Sequence, residues 1–475
     1  MAALVDSADK ESEKFLKMTT VPVEKLVFTL GLPSILIMIV SAIYNMADTY
    51  FVASLGTSEV AAVGIAFPLM NLIQAIGFFF GQGSGNYMAR ALGGKNTDGA
   101  SRMAVTGLLS GFIIMAVIAA ILIFFLGPFV TFLGATETIR PHAMDFIFFI
   151  LLASPWMVAA TILNQQLRFQ GSASIALVGI MSGAVLNIFM EPVFIFIFKL
   201  GVKGSASATM ICQFISFCIL YFYGTTRPSN IHINFRHFSP SLSRFMEMFR
   251  GGIPALLRQG LMSVANIIIN HFAGYYGDAA IAAISIVNRI TTFANSVIMG
   301  FGQGFQPICG FNFGARMYSR VKKAFWFCVR VACGSLFVIC IFLEIFAPQI
   351  IALFRKDDPQ VIAIGTLSLR LNCISLPFMG YATMCNMITQ TMGIAFEASI
   401  IAMSRQGLML IPILLIMRPL FGLFGIQIAT PTSDMLSLAI IIPMTAKVLK
   451  MISVPDGTLS THVPKSSQHE TLDTE

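Results

Sequence analysis

The sequence predicts an all-α integral membrane protein, with twelve transmembrane helices arranged as two pseudo-symmetric six-helix bundles. Composition, the spacing of apolar runs and an internal repeat predict it. Of 475 residues, 56% are hydrophobic and 11% charged, against roughly 25% charged in an ordinary soluble domain. The mean hydropathy is +0.81.

Runs of about twenty apolar residues, each able to cross a hydrocarbon core of roughly 30 Å, occupy 26–54, 58–88, 103–127, 141–166, 174–198 and 205–223. A polar, basic stretch at 226–244 interrupts the pattern, and six further runs follow at 248–276, 279–309, 324–354, 361–390, 398–417 and 421–446. The resulting organisation is a cytoplasmic N-terminal segment (1–24), an N-lobe of six helices (25–224), a cytoplasmic linker (225–246), a C-lobe of six helices (247–450) and a disordered cytoplasmic tail (451–475).

The second half repeats the first. Shifting by 221 residues aligns Gly31-Leu-Pro33 with Gly252-Ile-Pro254, Asn45 with Asn266, Gly56 with Gly277, and FGQG at 80–83 with FGQG at 301–304. A one-residue slip then aligns SPWM at 154 with LPFM at 376, and Asn164 with Asn386. Each copy holds an even number of crossings, so both enter the membrane from one face. The symmetry axis then runs along the membrane normal, as in transporters that bind substrate between parallel repeats near the midplane.

Lysine and arginine in the short loops set the orientation. With both termini inside, the cytoplasmic face receives Lys10, Lys14, Lys17, Lys95, Arg102, Arg236, Arg316, Arg320, Lys447 and Lys450 among others, and the opposite face only Arg140, Lys199, Lys203, Arg355, Lys356 and Arg418. Topology thus accounts for the net charge of +8, and no basic soluble face remains to bind nucleic acid. Residues 1–24 lack the apolar core and cleavage site of a secretory signal, so insertion through the first helix is expected. The eight cysteines lack Cys-x-x-Cys spacing and read as small apolar packing residues.

Ionisable residues inside the apolar runs need a partner or a purpose, because a charge at a helix centre costs roughly 2.5–3.5 kcal/mol on insertion scales. Asp48 follows Tyr44 and Asn45 by four and three residues, which places a phenol and an amide on its face. Glu191 follows Asn187 by four, with Gly183 and Ala184 keeping that face thin. Two acids on separate helices form either a cation or proton site, able to load and release protons near physiological pH, or polar glue between helices. In the second bundle Arg289, Arg405 and Asp434 could form a polar network, and Arg258, Arg330, Glu344 and Arg370 are further intramembrane ionisables. No G-x-x-x-x-G-K-[ST] motif occurs: GGKNT at 93–97 lacks the upstream glycine and the hydroxyl. No enzymatic chemistry, ATP use or cofactor is expected, so energy would come from an ion gradient of H⁺ or Na⁺.

Pro33 followed by YNMADTYF at 44–51, NIFMEP at 187–192 and GFGQGFQPICGFNFGAR at 300–316 give the chain a resemblance to the MATE (multidrug and toxic compound extrusion) family, in its MepA and DinF-like bacterial branch. The resemblance covers residues 20–450. It implies a V-shaped, two-lobed antiporter in a bacterial inner membrane, acting as a monomer, that exchanges H⁺ or Na⁺ for lipophilic cations by alternating access and contributes to antibiotic resistance. By the same resemblance Asp48 is the principal coupling residue, and Tyr44, Asn164, Asn187 and Thr209 complete the N-lobe network, with Na⁺ at Asp48 and Glu191 if sodium is used. Many relatives carry Asp where this chain has Glu191, which leaves the ion geometry open. The seventh and tenth helices lack the acids of the NorM-like branch, favouring an N-lobe site. Two alternatives stay open: a flippase for lipid-linked sugars or another anionic lipid, which calls for a cationic central cavity, and a non-transporting membrane scaffold.

Overall fold

The computed structural model describes residues 13–53, 55–226, 234–354 and 358–458, and regular structure among them is helical. The first half comprises α1 (Val23–Ala53), α2 (Thr57–Gly93), α3 (Thr97–Phe124), the short α4 (Leu126–Phe132), α5 (Arg140–Phe169), α6 (Ala173–Pro192) and α7 (Val202–Thr226). The second comprises α8 (Leu242–Gly274), α9 (Asp278–Gly314), α10 (Tyr318–Ile345), the short α11 (Ala347–Phe354), α12 (Pro359–Thr391), α13 (Ala395–Met403) and α14 (Leu410–Met451). Helix is the required outcome for these apolar runs, since a lipid-exposed segment must satisfy its backbone groups internally. Polar residues at the loops close several ends: Asn96 Oδ1 accepts from Gly99 N at 2.7 Å, and Asp358 Oδ1 from Gln360 N at 3.0 Å.

Eleven helical spans are long and apolar enough to cross a membrane, the last being Ala395–Met451. Its 57 residues would extend about 85 Å as one helix, nearly three hydrocarbon thicknesses. It is instead a hairpin. Gly422 is non-helical, at φ 60° and ψ −132°, and the chain turns back so tightly that a Cβ on Gly425 would meet the Met417 carbonyl oxygen at 2.1 Å. Counting the two arms separately gives the twelve crossings expected.

The repeat is visible in the backbone. Left-handed turn residues recur at matching positions: Lys95 and Arg316 (φ 62° and 58°), Gly171 and Gly393 (80° and 77°), and Gly201 and Gly422 (57° and 60°). The hairpin at Gly422 is therefore the second copy of the open turn at Gly201. The short helices α4 and α11 are also repeat mates, each following the third crossing of its half.

The halves meet where α1 packs on α9 and α2 on α8. The shared FGQG stretch lets backbones touch: a Cβ on Gly304 would stand 2.4 Å from Gly31 Cα. At one end, buried polar groups seal this interface. Arg90 of α2 pairs with Glu247 of α8 at 2.9 Å and donates to the Thr391 carbonyl at 2.7 Å. Gln390 donates to Gln82 Oε1 at 2.8 Å and to the Gly251 carbonyl at 2.6 Å. Arg168 of α5 donates to Gln303 of α9 and to Gln165.

Two boundaries differ from the sequence reading. Helix α8 starts inside the stretch read as linker, because Ser241 Oγ caps it by accepting from Arg244 N at 3.3 Å. The tail read as disordered begins with an ordered turn: Asp456 Oδ1 accepts from Ser319 N at 2.9 Å, Gly457 N donates to the Arg316 carbonyl at 3.0 Å, and Lys322 Nζ donates to Ser453 Oγ at 2.7 Å. This turn serves the start of helix α10, whose own N-cap, Met317, makes no side-chain cap hydrogen bond. Residues 227–233 of the linker, Arg355, Lys356 and residues 459–475 of the tail lie outside the described residues.

Candidate functional site

Three helices of the N-lobe, α1, α6 and α7, pack together and each contributes a pair of polar residues four apart. Helix α1 supplies Tyr44 and Asp48, α6 supplies Asn187 and Glu191, and α7 supplies Ser205 and Thr209. Residues at i and i+4 lie one above the other on a helix face, so the three pairs form two polar layers. In one layer the Tyr44 hydroxyl and Thr209 Oγ1 are 3.5 Å apart, and Asn187 Nδ2 donates to Thr209 Oγ1 at 3.2 Å. In the other, Ser205 Oγ donates to Glu191 Oε1 at 2.7 Å, and the Asp48 carboxyl interacts with both Glu191 and Ser205. Glu191 is 0% exposed and Asn187 1%. Glu191 Oε2 is buried and accepts no hydrogen bond from the described residues.

Local backbone chemistry places Glu191. The next residue, Pro192, has no N–H to donate to the carbonyl one turn earlier, and the chain widens immediately into a π turn over Val193–Ile197. Such turns are frequent at functional sites because they re-aim neighbouring side chains. Below the site, α6 and α7 approach closely through Gly183 and Gly179, and Ser216 Oγ donates to the Gly179 carbonyl at 2.7 Å. The two layers together offer hydroxyl, phenol, amide and carboxyl oxygens, a hard donor set of the kind that suits a proton or Na⁺ rather than a soft metal.

Asn164 lies elsewhere in the lobe's packing: it is buried and its Nδ2 donates to the Ala176 carbonyl at 3.0 Å, tying α5 to α6. The Asn45 side chain lies outside the described residues.

In the C-lobe, Arg405 Nε stands 2.9 Å from Asp434 Oδ1, Ser375 Oγ donates to Asp434 Oδ2 at 2.9 Å, and Ser433 Oγ donates to the Arg405 carbonyl at 2.5 Å. Arg405 belongs to the second π turn, Ser404–Met409. Arg289 is exposed on α9 and, among the described contacts, takes no part in this network. Arg370 pairs with Glu344 at 3.5 Å, both half-exposed, and Arg330 is exposed.

A family model described as MatE matches residues 33–193 and again 254–416. The two matches begin 221 residues apart and together cover most of the chain, one per lobe. The chain belongs to the MatE family. This MatE chain is 28% identical over 400 residues to the multidrug export protein MepA of Staphylococcus haemolyticus, with 83% of this chain and 87% of the relative covered. It is 28% identical over 411 residues to MepA of Staphylococcus aureus, covering 85% and 89%. Among solved structures, an outward-facing multidrug resistance MATE family transporter of the MOP superfamily superposes with a TM-score of 0.87 at 24% identity, covering 92% of this chain and 98% of that one. The Vibrio cholerae MATE transporter VcmN superposes with a TM-score of 0.85 at 22% identity, covering 90% and 97%. The MatE chain is thus a multi-pass membrane protein of the two-lobed transporter fold.

Sequence reasoning missed Ser205, although its signal was present: it precedes Thr209 by the same four residues that separate Tyr44 from Asp48 and Asn187 from Glu191. It also missed the pairing of Arg258 Nη1 with Asn386 Oδ1 at 3.1 Å, for which no local spacing exists.

Proposed function

We propose that this protein exports amphiphilic compounds, lipophilic cations among them, in exchange for H⁺ or Na⁺ by alternating access, with Asp48 and Glu191 as the coupling pair. The observation that carries the reading is the meeting of these two carboxyls, from separate helices, in the buried N-lobe layer with Ser205. Two carboxylates in one dry site repel each other, and a proton or a cation between them relieves the repulsion. Loading and unloading of that ion would alter how α1 packs on α6 and α7, and α1 is also the helix that packs on α9 across the lobes. An ion bound in one lobe can therefore bias the seam between both.

The MepA relatives supply the substrate side of the proposal, since they are named multidrug exporters. The excess of Lys and Arg in the loops on one side supports both termini facing the cytoplasm, and the reading has the protein act as a monomer in a bacterial inner membrane. A second reading, movement of an anionic lipid, is favoured by Arg258 and Arg405 in the C-lobe cavity.

The test uses proteoliposomes of the full chain, with ethidium uptake driven by an imposed pH gradient or an imposed sodium gradient. The expected result is uptake that follows one gradient and is lost in Asp48→Asn, which keeps size and hydrogen bonding but not the titratable charge. Gradient-driven uptake undiminished in Asp48→Asn would overturn the coupling role.

A further inference from the structure

The two lobes share a fold but carry opposite charge, at different positions of the repeat. Within the gapless part of the repeat, Asp48 corresponds to the buried Ile269, and Arg258 corresponds to the buried Ile37. The N-lobe is acidic where the C-lobe is apolar, and the C-lobe is basic where the N-lobe is apolar. The acid pair uses only the first half of this division.

The basic half faces open space. A cavity of about 200 Å³ has Arg258, Arg405, Asn295 and Asn386 in its lining together with Met38 and Met299. A smaller, more polar cavity of about 70 Å³ adjoins it, and both share Met262, Thr292, Arg405 and Gln406. The ionisable residues lining the two are Arg258, Arg405 and Asp434. Asp434 is engaged by Arg405 and Ser375. Arg258 donates to the neutral Asn386 and, among the described residues, has no carboxylate partner. A guanidinium held at a cavity wall without an anion is costly in a medium of low dielectric, and its planar fork matches a carboxylate or phosphate in two parallel hydrogen bonds.

We propose that this C-lobe cavity binds amphiphiles through an acidic group, a carboxylate or phosphate that completes the charge of Arg258 beside Arg405, while Met38, Met262 and Met299 take the apolar body. Thioether side chains adapt to varied shapes, so the acid fixes orientation and the methionines tolerate diversity. The inference deepens the export reading by naming a substrate class, and it concerns equilibrium binding, which needs no ion gradient.

The experiment uses the purified full-length protein in a neutral detergent, with binding followed by the intrinsic fluorescence of norfloxacin, an acid-bearing zwitterion. Its methyl ester, ethidium, and dioctanoyl phosphatidate as a competitor are the comparisons. Arg258→Gln is expected to weaken norfloxacin by at least about tenfold, the ester is expected to bind the wild type as weakly as the acid binds the variant, and ethidium is expected to be unchanged. If only the phosphatidate depends on Arg258, the acid arrives as a lipid headgroup and the proposal stands in that form. Should Arg258→Gln fail to fold, the acid and ester on the wild type, together with Arg258→Lys, decide. Norfloxacin and phosphatidate that both bind Arg258→Gln as tightly as the wild type overturn it, as does an ester that binds the wild type as tightly as the acid while phosphatidate is indifferent to substitution of Arg258. Asp48→Asn is expected to retain acid-selective binding, so loss of exchange with that selectivity intact counts against the coupling pair alone.

Discussion

Asn164 and Asn386 make the same hydrogen bond in the two lobes. Asn164 Nδ2 reaches the Ala176 carbonyl at 3.0 Å and Asn386 Nδ2 reaches the Ala398 carbonyl at 2.9 Å, each clamping the fifth crossing of its half to the fourth. The symmetry stops at the other end of the amide, where Asn386 Oδ1 alone receives a guanidinium, that of Arg258.

Replacing either asparagine with alanine is expected to cost about 1 kcal/mol of stability in detergent, the scale of an interhelical hydrogen bond in a membrane protein. Denaturant unfolding of the two variants measures it. Asn164→Ala should leave acid-selective binding intact, whereas Asn386→Ala should weaken it, because only the second also frees Arg258.

Glu191→Gln is expected to reduce the rate of exchange and to move its pH dependence, because two acids in one site titrate as a coupled pair. Glu191→Asp should keep coupling with altered ion affinity, its carboxyl standing one methylene back from Ser205. Ser205→Ala, which removes the 2.7 Å bond to Glu191, should shift the pH profile in miniature. Initial rates in vesicles across pH separate these outcomes; a Glu191→Gln profile superimposable on that of the wild type would leave Glu191 as structural glue.

The Arg90–Glu247 pair is buried on both sides, with side chains 2% and 3% exposed, and it crosses the lobes. Glu247→Gln strands Arg90 and removes the partner of Arg250 at 2.7 Å. Losing one member of a buried pair costs about 3–5 kcal/mol, enough to change a two-state population more than about a hundredfold. The lobes should therefore separate at this end, read as a longer distance between spin labels placed one on each lobe. An unchanged distance distribution would remove the pair from gating.

Asp456 caps α10 from the far end of the chain. Desolvation acts to raise the carboxyl pKa of this exposed residue, but the hydrogen bonds from Ser319, that from the Tyr318 backbone and the charge of Lys322 outweigh it, so the net shift is downward. A depressed carboxylate contributes stability above its unfolded value, about 3.9, and loses it as pH falls through the lower folded value. Hydrogen-exchange protection of residues 318–321 and 451–458, taken relative to the intrinsic amide rate at each pH, should be high at neutral pH and fall under strong acid. In Asp456→Ala it should be low throughout.

The membrane fold was legible because each crossing is written locally, as a long apolar run, and the repeat is written twice. The acids were legible for the same reason: a single carboxylate such as Asp48 stands out in an apolar helix. What was hidden depends on partners far apart in sequence. Nothing near Arg258 announces Asn386, and nothing near Ser319 announces Asp456. The expected association of Arg289 with Arg405 and Asp434 could not be tested by spacing, because the exposed face of α9 on which Arg289 sits is set by how that helix packs on α1, α10 and α12.

The contact of Gly304 with Gly31 gives the seam between the lobes an unusual mechanical character. Most helix interfaces are meshed like gear teeth, and parting them means withdrawing each side chain from a socket through unfavourable rotamers. Here bare backbone rests on bare backbone, so the surfaces can slide or peel without unmeshing. The resistance to opening then rests on ring contacts such as Phe28 with Phe301 and Phe79 with Phe249, and on the polar clasps at one end, Arg90 with Glu247, Gln82 with Gln390 and Arg168 with Gln303. A bulkier residue at Gly304 would do more than crowd the fold: it would cut a tooth into a smooth bearing.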